Sequence, residues 1–177
     1  MLSSVTIPEG VTSIGKDAFY NCSSMTAFEF PESIQIFGDR AFYGTSITQF
    51  IIPDNVKTFS YSTIAGCGSL KSLYVGSGLT SFTVAVPTTS GNIQSVTTNC
   101  TSIVVSDENE YFTSKSSDGS NCDAVINKAT STLIYGCINT VIPDYVKAIG
   151  SYAFSGFSGS FMALPEGLEE ISNNAFK

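Results

Sequence analysis

The sequence predicts a β-rich solenoid: short coils stacked on one another, carrying parallel strands and short 3₁₀ or helical turns, with one hairpin insertion. Two observations carry the architecture. Prolines recur at near-constant intervals, 31 − 8 = 23, 53 − 31 = 22 and 165 − 143 = 22, and self-similarity at a fixed period of about 20–50 residues marks repeat architectures. Around each proline the same apolar register returns, first as Leu2-x-x-Val5-x-Ile7-Pro8-x-x-Val11-x-x-Ile14-Gly15-x-x-Ala18-Phe19-x-x-Cys22. Composition agrees. The chain is 42 % hydrophobic and 13 % charged, with 13 Phe and no Trp, as expected where Phe refills one core position in coil after coil. It is too apolar for disorder.

Within the first coil, Val5-x-Ile7 alternates as a half-buried strand does. Pro8 ends that strand, since proline donates no ladder hydrogen bond and fixes its own φ. Val11 and Ile14, three apart, turn to the same interior. Gly15 and Asp17 form a corner, and Ala18-Phe19 drops a ring into the core from a single turn, too short to stand alone as a helix. The second copy is Met25-x-x-Phe28-x-Phe30-Pro31-x-x-Ile34-x-x-Phe37-Gly38-x-x-Ala41-Phe42, and the third runs from Ile47 through Pro53 to Cys67. The fourth begins Leu70-x-x-Leu73-x-Val75-Gly76-x-x-Leu79-x-x-Phe82 and then loses the pattern. It returns around Ile142-Pro143 and Leu164-Pro165 and closes on Ala175-Phe176. A single coil buries neither face by itself; stacking does so.

The middle is irregular. Ile93-x-x-Val96 follows Leu70-x-x-Leu73 by one period, whereas Cys100, Ile103 and Val105 offer a competing register, and both stand as candidate strands. Residues 106–121 are polar and read as a loop crossing an edge. Residues 124–126 and 132–135 read as a hairpin joined by Asn127 to Ser131. The expectation is one domain over residues 1–177, with regular coils at 2–82 and 137–177 and an irregular, hairpin-bearing repeat at 83–136. The sequence begins on core Leu2 and stops one residue after core Phe176. Terminal repeats normally carry caps, so a fragment of a longer array is expected.

The register I-P-x-x-V-x-x-I-G-x-x-A-F-x-x-C resembles the BspA-like (Treponema-type) leucine-rich repeat family over about residues 2–82 and 137–176. The middle is similar too, with a stretch such as Ile103 to Phe112 preceding a hairpin such as Ala124 to Tyr135. The resemblance implies an α/β horseshoe-type leucine-rich repeat solenoid. It further implies an extracellular or cell-surface setting and an adhesive role towards a protein partner, such as a host or extracellular-matrix protein.

Chemistry is narrowed by what is missing. The chain has no His, which removes the commonest general base and transition-metal ligand. Its five Cys lie 45, 33, 22 and 15 residues apart, without the close spacing of a thiolate zinc site. No glycine-rich phosphate loop is present. No enzyme and no cofactor are expected. Cys22 and Cys67 share a register position two coils apart, roughly 10 Å at strand spacing, too far for a disulfide, so both should be reduced. Cys100 fits a strand core position. Cys122 and Cys137 flank the hairpin and form a candidate pair. Asp107-Glu108-Asn109-Glu110 and Asp118 to Asp123 offer oxygen ligands or paired carboxylates, against a plainer reading as a solvated loop and a turn. With 8 Lys plus Arg against 15 Asp plus Glu and a net charge of −7, no basic stripe exists for nucleic acid. No apolar run reaches membrane-spanning length.

The functional candidates are outward-facing strand residues. In L-x-x-V-x-I the residue between the last two core positions points away from the interior. That row is Thr6, Glu29, Ile51 and Tyr74, extended by Val104 if Ile103 and Val105 form the next strand; Ser4, Ala27, Gln49 and Ser72 form a second. Ile51 and Tyr74 are apolar where polar residues are expected. Aromatic anchors are enriched at binding hot spots, so Glu29, Ile51 and Tyr74 are the candidate partner-binding residues. The alternatives are a structural spacer that presents another domain, or a glycan-binding module using Tyr74 and exposed amides.

Overall fold

A computed structural model describes residues 2–84, 99–157, 159 and 162–177. In chain order the strands are β1 (Ser13–Ile14), β2 (Ile36–Phe37), β3 (Gln49–Ile52), β4 (Thr58–Ser60), β5 (Ser72–Val75), β6 (Ser81–Thr83), β7 (Ser102–Val105), β8 (Phe112–Lys115), β9 (Asn121–Asn127), β10 (Thr132–Gly136), β11 (Ala148–Ile149) and β12 (Glu170–Ile171). Tyr61–Ile64 is the only 3₁₀ helix among the described residues. The fold is β-rich, and the strands of successive coils pair in parallel.

Coils three and four contribute to two ladders. One joins β3, β5 and β7, with Phe50↔Leu73↔Ile103 and Ile52↔Val75↔Val105 facing the core. The Cys100-Ile103-Val105 register therefore forms the strand that follows β5. The competing Ile93-x-x-Val96 lies outside the described residues. The other ladder, beyond the proline turn, pairs β1 with β2 and β4 with β6, and later β10 with β11 and β11 with β12. Val11 and Ile14 were expected only to face inward; their segment also hydrogen-bonds from coil to coil. Between the ladders each repeat proline closes a turn, with Val11, Ile34, Val56, Val146 and Leu168 N–H donating to the carbonyls of Pro8, Pro31, Pro53, Pro143 and Pro165.

The corner after Gly15 is a run of hydrogen-bonded turns rather than a helix. Alternate amides of coil one, those of Asp17, Phe19 and Asn21, donate to the carbonyls of Asp39, Ala41 and Tyr43 in coil two. Asp17 at φ 57° and Asn21 at φ 56° adopt left-handed backbone, which Asp and Asn tolerate better than most residues. Gly38 follows from close approach. A Cβ there would lie 2.3 Å from the Lys16 nitrogen, so only glycine lets coils one and two meet at this corner.

Three expectations are corrected. Residues 5–7 and 28–30 form no strand. Ile7, Phe28 and Phe30 are only half-buried, and the Phe28 and Phe30 rings lie against each other at 5.0 Å. Grooves open between these segments and the next coil instead of a ladder. Residues 106–121 are not simply a loop. They contain β8, which pairs antiparallel with β9, so the expected β9–β10 hairpin is the second half of a three-stranded meander. Finally, Cys122 and Cys137 are not bonded; all five thiols are free. Cys122 points into the C-terminal core with Ile126, Leu133 and Phe154, whereas Cys137 packs in the larger N-terminal core. Cys22 and Cys67 stay reduced as expected, with Thr45 at their register position in the coil between them and its hydroxyl 3.3 Å from the Cys67 Sγ.

The meander caps β7 and takes over the second ladder. The β7 amides of Ile103 and Val105 donate to Asp123 Oδ1 and Ser114 Oγ, each at 3.0 Å. β10 then pairs with β11, so a meander strand stands where a coil strand would.

Candidate functional site

The parallel register places Ile51 opposite Tyr74 and Tyr74 opposite Val104 on the outer face of β3, β5 and β7. Their inward neighbours are core residues, so these three have no route to burial within the chain, and they are 45 %, 36 % and 38 % exposed. Gln49, Ser72 and Ser102 form the polar row beside them. Val141, at the matching position before Pro143, is 68 % exposed. Its amide bonds the Cys122 carbonyl.

Glu29 and Thr6 do not join this ladder. Glu29 instead lines a groove with Ile51. The groove measures ≈ 610 Å³, its floor made by Phe28, Phe30, Ile51 and Pro53 and its polar wall by Glu29, Glu32, Asp54 and Asn55. A second groove of ≈ 580 Å³ between coils one and two shares Phe28, Glu29 and Phe30 and adds Glu9. The structure thus brings Glu29 to Ile51, and Ile51 to Tyr74, by different means.

Glu32 and Asp54 were missed. Their signal is present in the sequence: the residue after each repeat proline is acidic, at Glu9, Glu32, Asp54, Asp144 and Glu166. All five are exposed. They sit at one register position and form an acidic column that Ser77 interrupts in the fourth coil. Asp54 Oδ1 accepts from the Ser77 amide at 2.7 Å, and Asn55 Nδ2 donates to the Glu32 carbonyl at 2.7 Å. None of the ion pairs among the described residues involves Glu29, Glu32 or Asp54.

The polar clusters of the middle segment are structural. Asn109 is buried. Its Nδ2 donates to the carbonyls of Gly76 (2.8 Å) and Leu79 (3.1 Å), and its Oδ1 accepts from the amides of Tyr111 (2.9 Å) and Phe112 (2.8 Å). Asp107 pairs with Lys115 at 3.5 Å. Hydrogen bonds from the Ser120 hydroxyl and amide hold Asp118 below the usual carboxylate range. Among the described residues no group of three or more His, Cys, Asp or Glu is placed to hold a metal ion. Burial pushes the Cys67 thiol up and the Cys122 thiol up to about 11, which makes both poor nucleophiles at neutral pH.

The sequence profile described as a BspA type leucine rich repeat region matches residues 1–117 and 132–177 in six copies. This chain belongs to the BspA-type leucine-rich repeat family. No curated protein matches it. Solved structures share the fold. A leucine-rich repeat protein of Eubacterium ventriosum superposes with a TM-score of 0.68 at 19 % identity, covering 96 % of this chain and 49 % of that one. The pneumococcal vaccine antigen PcpA gives 0.65 at 22 %, covering 98 % and 48 %. A leucine-rich repeat protein of Bacteroides ovatus gives 0.53 at 16 %, covering 96 % and 39 %. The BspA-type chain spans about half the length of these neighbours, or less. No helix among its described residues is long and apolar enough to cross a membrane.

Proposed function

We propose that this BspA-type chain is a non-catalytic protein-binding module of a secreted or cell-surface protein. In this reading its coils form one horseshoe-type solenoid domain that adheres to a protein partner through the outer face of β3, β5 and β7. The observation that supports it most is the juxtaposition of an apolar row, Ile51-Tyr74-Val104, with a groove rimmed by Glu29, Glu32 and Asp54, which form no ion pair among the described residues. Exposed apolar rows rimmed by polar residues mark interaction sites, and repeat arrays use such faces for binding. The acidic rim selects the partner's chemistry: a segment offering Lys or Arg beside apolar side chains. A setting outside the cell rests on the family and on likeness to a vaccine antigen.

The test is binding to a panel of purified extracellular-matrix and host-surface proteins across a salt series. Neutralising the rim as Glu29→Gln/Glu32→Gln/Asp54→Asn is expected to weaken the bound partner several-fold and flatten the salt dependence, because exposed charge pairs are screened by salt. Unchanged affinity and salt slope would overturn the electrostatic part of the reading. Absence of any protein partner, with capture on a glycan array lost in Tyr74→Ser, would favour the glycan-binding alternative. No partner of either kind would favour the spacer.

A further inference from the structure

Met25, Ile47, Leu70, Cys100 and Cys137 share one register position: each opens the x-x-core-x-core run of its coil, as in Met25-x-x-Phe28-x-Phe30, Leu70-x-x-Leu73-x-Val75 and Cys100-x-x-Ile103-x-Val105. In coils two to four the position is filled by an aliphatic or thioether side chain. In the last two it holds cysteine, and those two coils are direct neighbours. The amide of Ile138, next to Cys137, donates to the Cys100 carbonyl at 3.3 Å, and Asn139 Nδ2 donates to the Thr101 carbonyl at 2.9 Å. Both cysteines are 1 % exposed and lie in the same core cluster, away from the cluster that holds Cys122. Adjacent parallel segments stand about 5 Å apart, within the ~4.4–6.8 Å Cα separation that a disulfide bridges.

We propose that Cys100 and Cys137 are a disulfide site, joined when the chain folds in an oxidising compartment, which fastens the coil after the meander to the coil before it. The bond would close a loop of 137 − 100 = 37 residues that contains β7, β8, β9 and β10. Cross-linking a long loop restricts the unfolded chain more than a short one, so this pair stabilises the irregular repeat most. The Cys100 Sγ donates to the Ser102 carbonyl at 3.3 Å and the Cys137 Sγ to the Asp123 carbonyl at 3.5 Å. The neighbouring thiol, with burial, pushes Cys100 up, while the same neighbour lowers Cys137.

The exchange balances with an external disulfide, small-molecule or on an oxidoreductase, as oxidant. The Cys137 thiolate attacks one sulfur of the external disulfide and expels the other as a thiolate. Cys100 then loses its proton and attacks the Cys137 sulfur, expelling the second external thiol. Two protein thiols are oxidised, and the external disulfide is reduced to two thiols. Because both sulfurs are buried in the folded chain, exchange takes place during folding, and the finished bond is then sheltered from reductant.

The experiment is to refold the chain in a glutathione redox buffer, digest it under non-reducing conditions and map the cross-linked peptides by mass spectrometry. The expected result is one linkage, Cys100 to Cys137, with the mass loss of two hydrogens and with Cys22, Cys67 and Cys122 still alkylatable. The oxidised chain should melt above the dithiothreitol-reduced chain. Cys122→Ser should keep the linkage and Cys137→Ser should abolish it. No linkage in the wild-type chain, a linkage through Cys122, or a melting midpoint unchanged or lowered by oxidation would overturn the proposal. The mapping of the wild-type chain decides even if a variant fails to fold.

Discussion

Phe42 shows what a single residue does in this repeat. It is fully buried, and its ring centroid lies 5.3 Å from Phe19, 4.7 Å from Phe28, 5.5 Å from Phe30, 6.0 Å from Phe37 and 5.5 Å from Phe50. Most of these contacts are edge-to-face, the geometry that the ring quadrupole favours. Phe42→Ala removes the hub of this cluster, and rings held by two neighbouring coils have little freedom to refill the space. The expected cost is about 3–5 kcal/mol, read from the urea midpoint at constant m. An unchanged midpoint would mean that Phe42 does not sit between the coils. Beside this core column Tyr20, exposed, stacks on half-buried Tyr43 at 5.0 Å, with the Arg40 guanidinium over Tyr20.

Among elements, the meander rests on Asn109. Its carboxamide uses both amide protons and both oxygen lone pairs on backbone groups from two coils. Asn109→Ala would leave buried amides and carbonyls without partners, each costing about 1–3 kcal/mol, so a total loss of ~3 kcal/mol or more is expected in chemical denaturation. A loss below ~1 kcal/mol would mean that water replaces the carboxamide. The same element shows where the sequence was opaque. β3 and β5 were legible because every core position carries a large apolar residue beside a proline or glycine stop, whereas β7, followed by Ser106, stood beside a competing register. β8 was not legible, because its inward residues are Phe112 and Ser114. A serine buried to serve the Val105 amide looks, in sequence, like a loop residue. The missing strands at residues 5–7 and 28–30 were equally hidden: their alternation is correct, and only the packing of Phe28 and Phe30 shows that the backbones stay apart. Of the site, Ile51 and Tyr74 were legible from alternation. The acidic column escaped notice because single carboxylates after a proline look like ordinary turn residues until they are seen to share one register.

At the scale of the whole molecule, two expectations follow. The first concerns pH. With no His in the chain, nothing with an ordinary pKa near 6.5 titrates, so the melting midpoint should stay flat from about pH 6 to 7.5. Burial raises Tyr61, Tyr135 and Cys67 above their ordinary values of 10.0, 10.0 and 9.0. Unfolded chains release those protons before folded ones do, so the stability these neutral groups hold is complete below their unfolded pKa values and is lost as pH rises past about 9. Thermal melts across pH 6–11 would show a plateau and then an alkaline fall. A decline between pH 6 and 7.5 would contradict the assignment.

The second expectation is the central one: the face of β3, β5 and β7 is where a protein partner sits. The direct measurement is partner affinity for the wild-type chain beside Ile51→Ser/Tyr74→Ser, with melting curves of both. Both side chains project from a paired sheet without supporting the core, so the melting midpoint should be unchanged. Loss of hot-spot contacts worth about 2 kcal/mol or more should weaken binding roughly 30-fold. Equal affinity for the two chains would place the partner elsewhere and refute the sheet-face account.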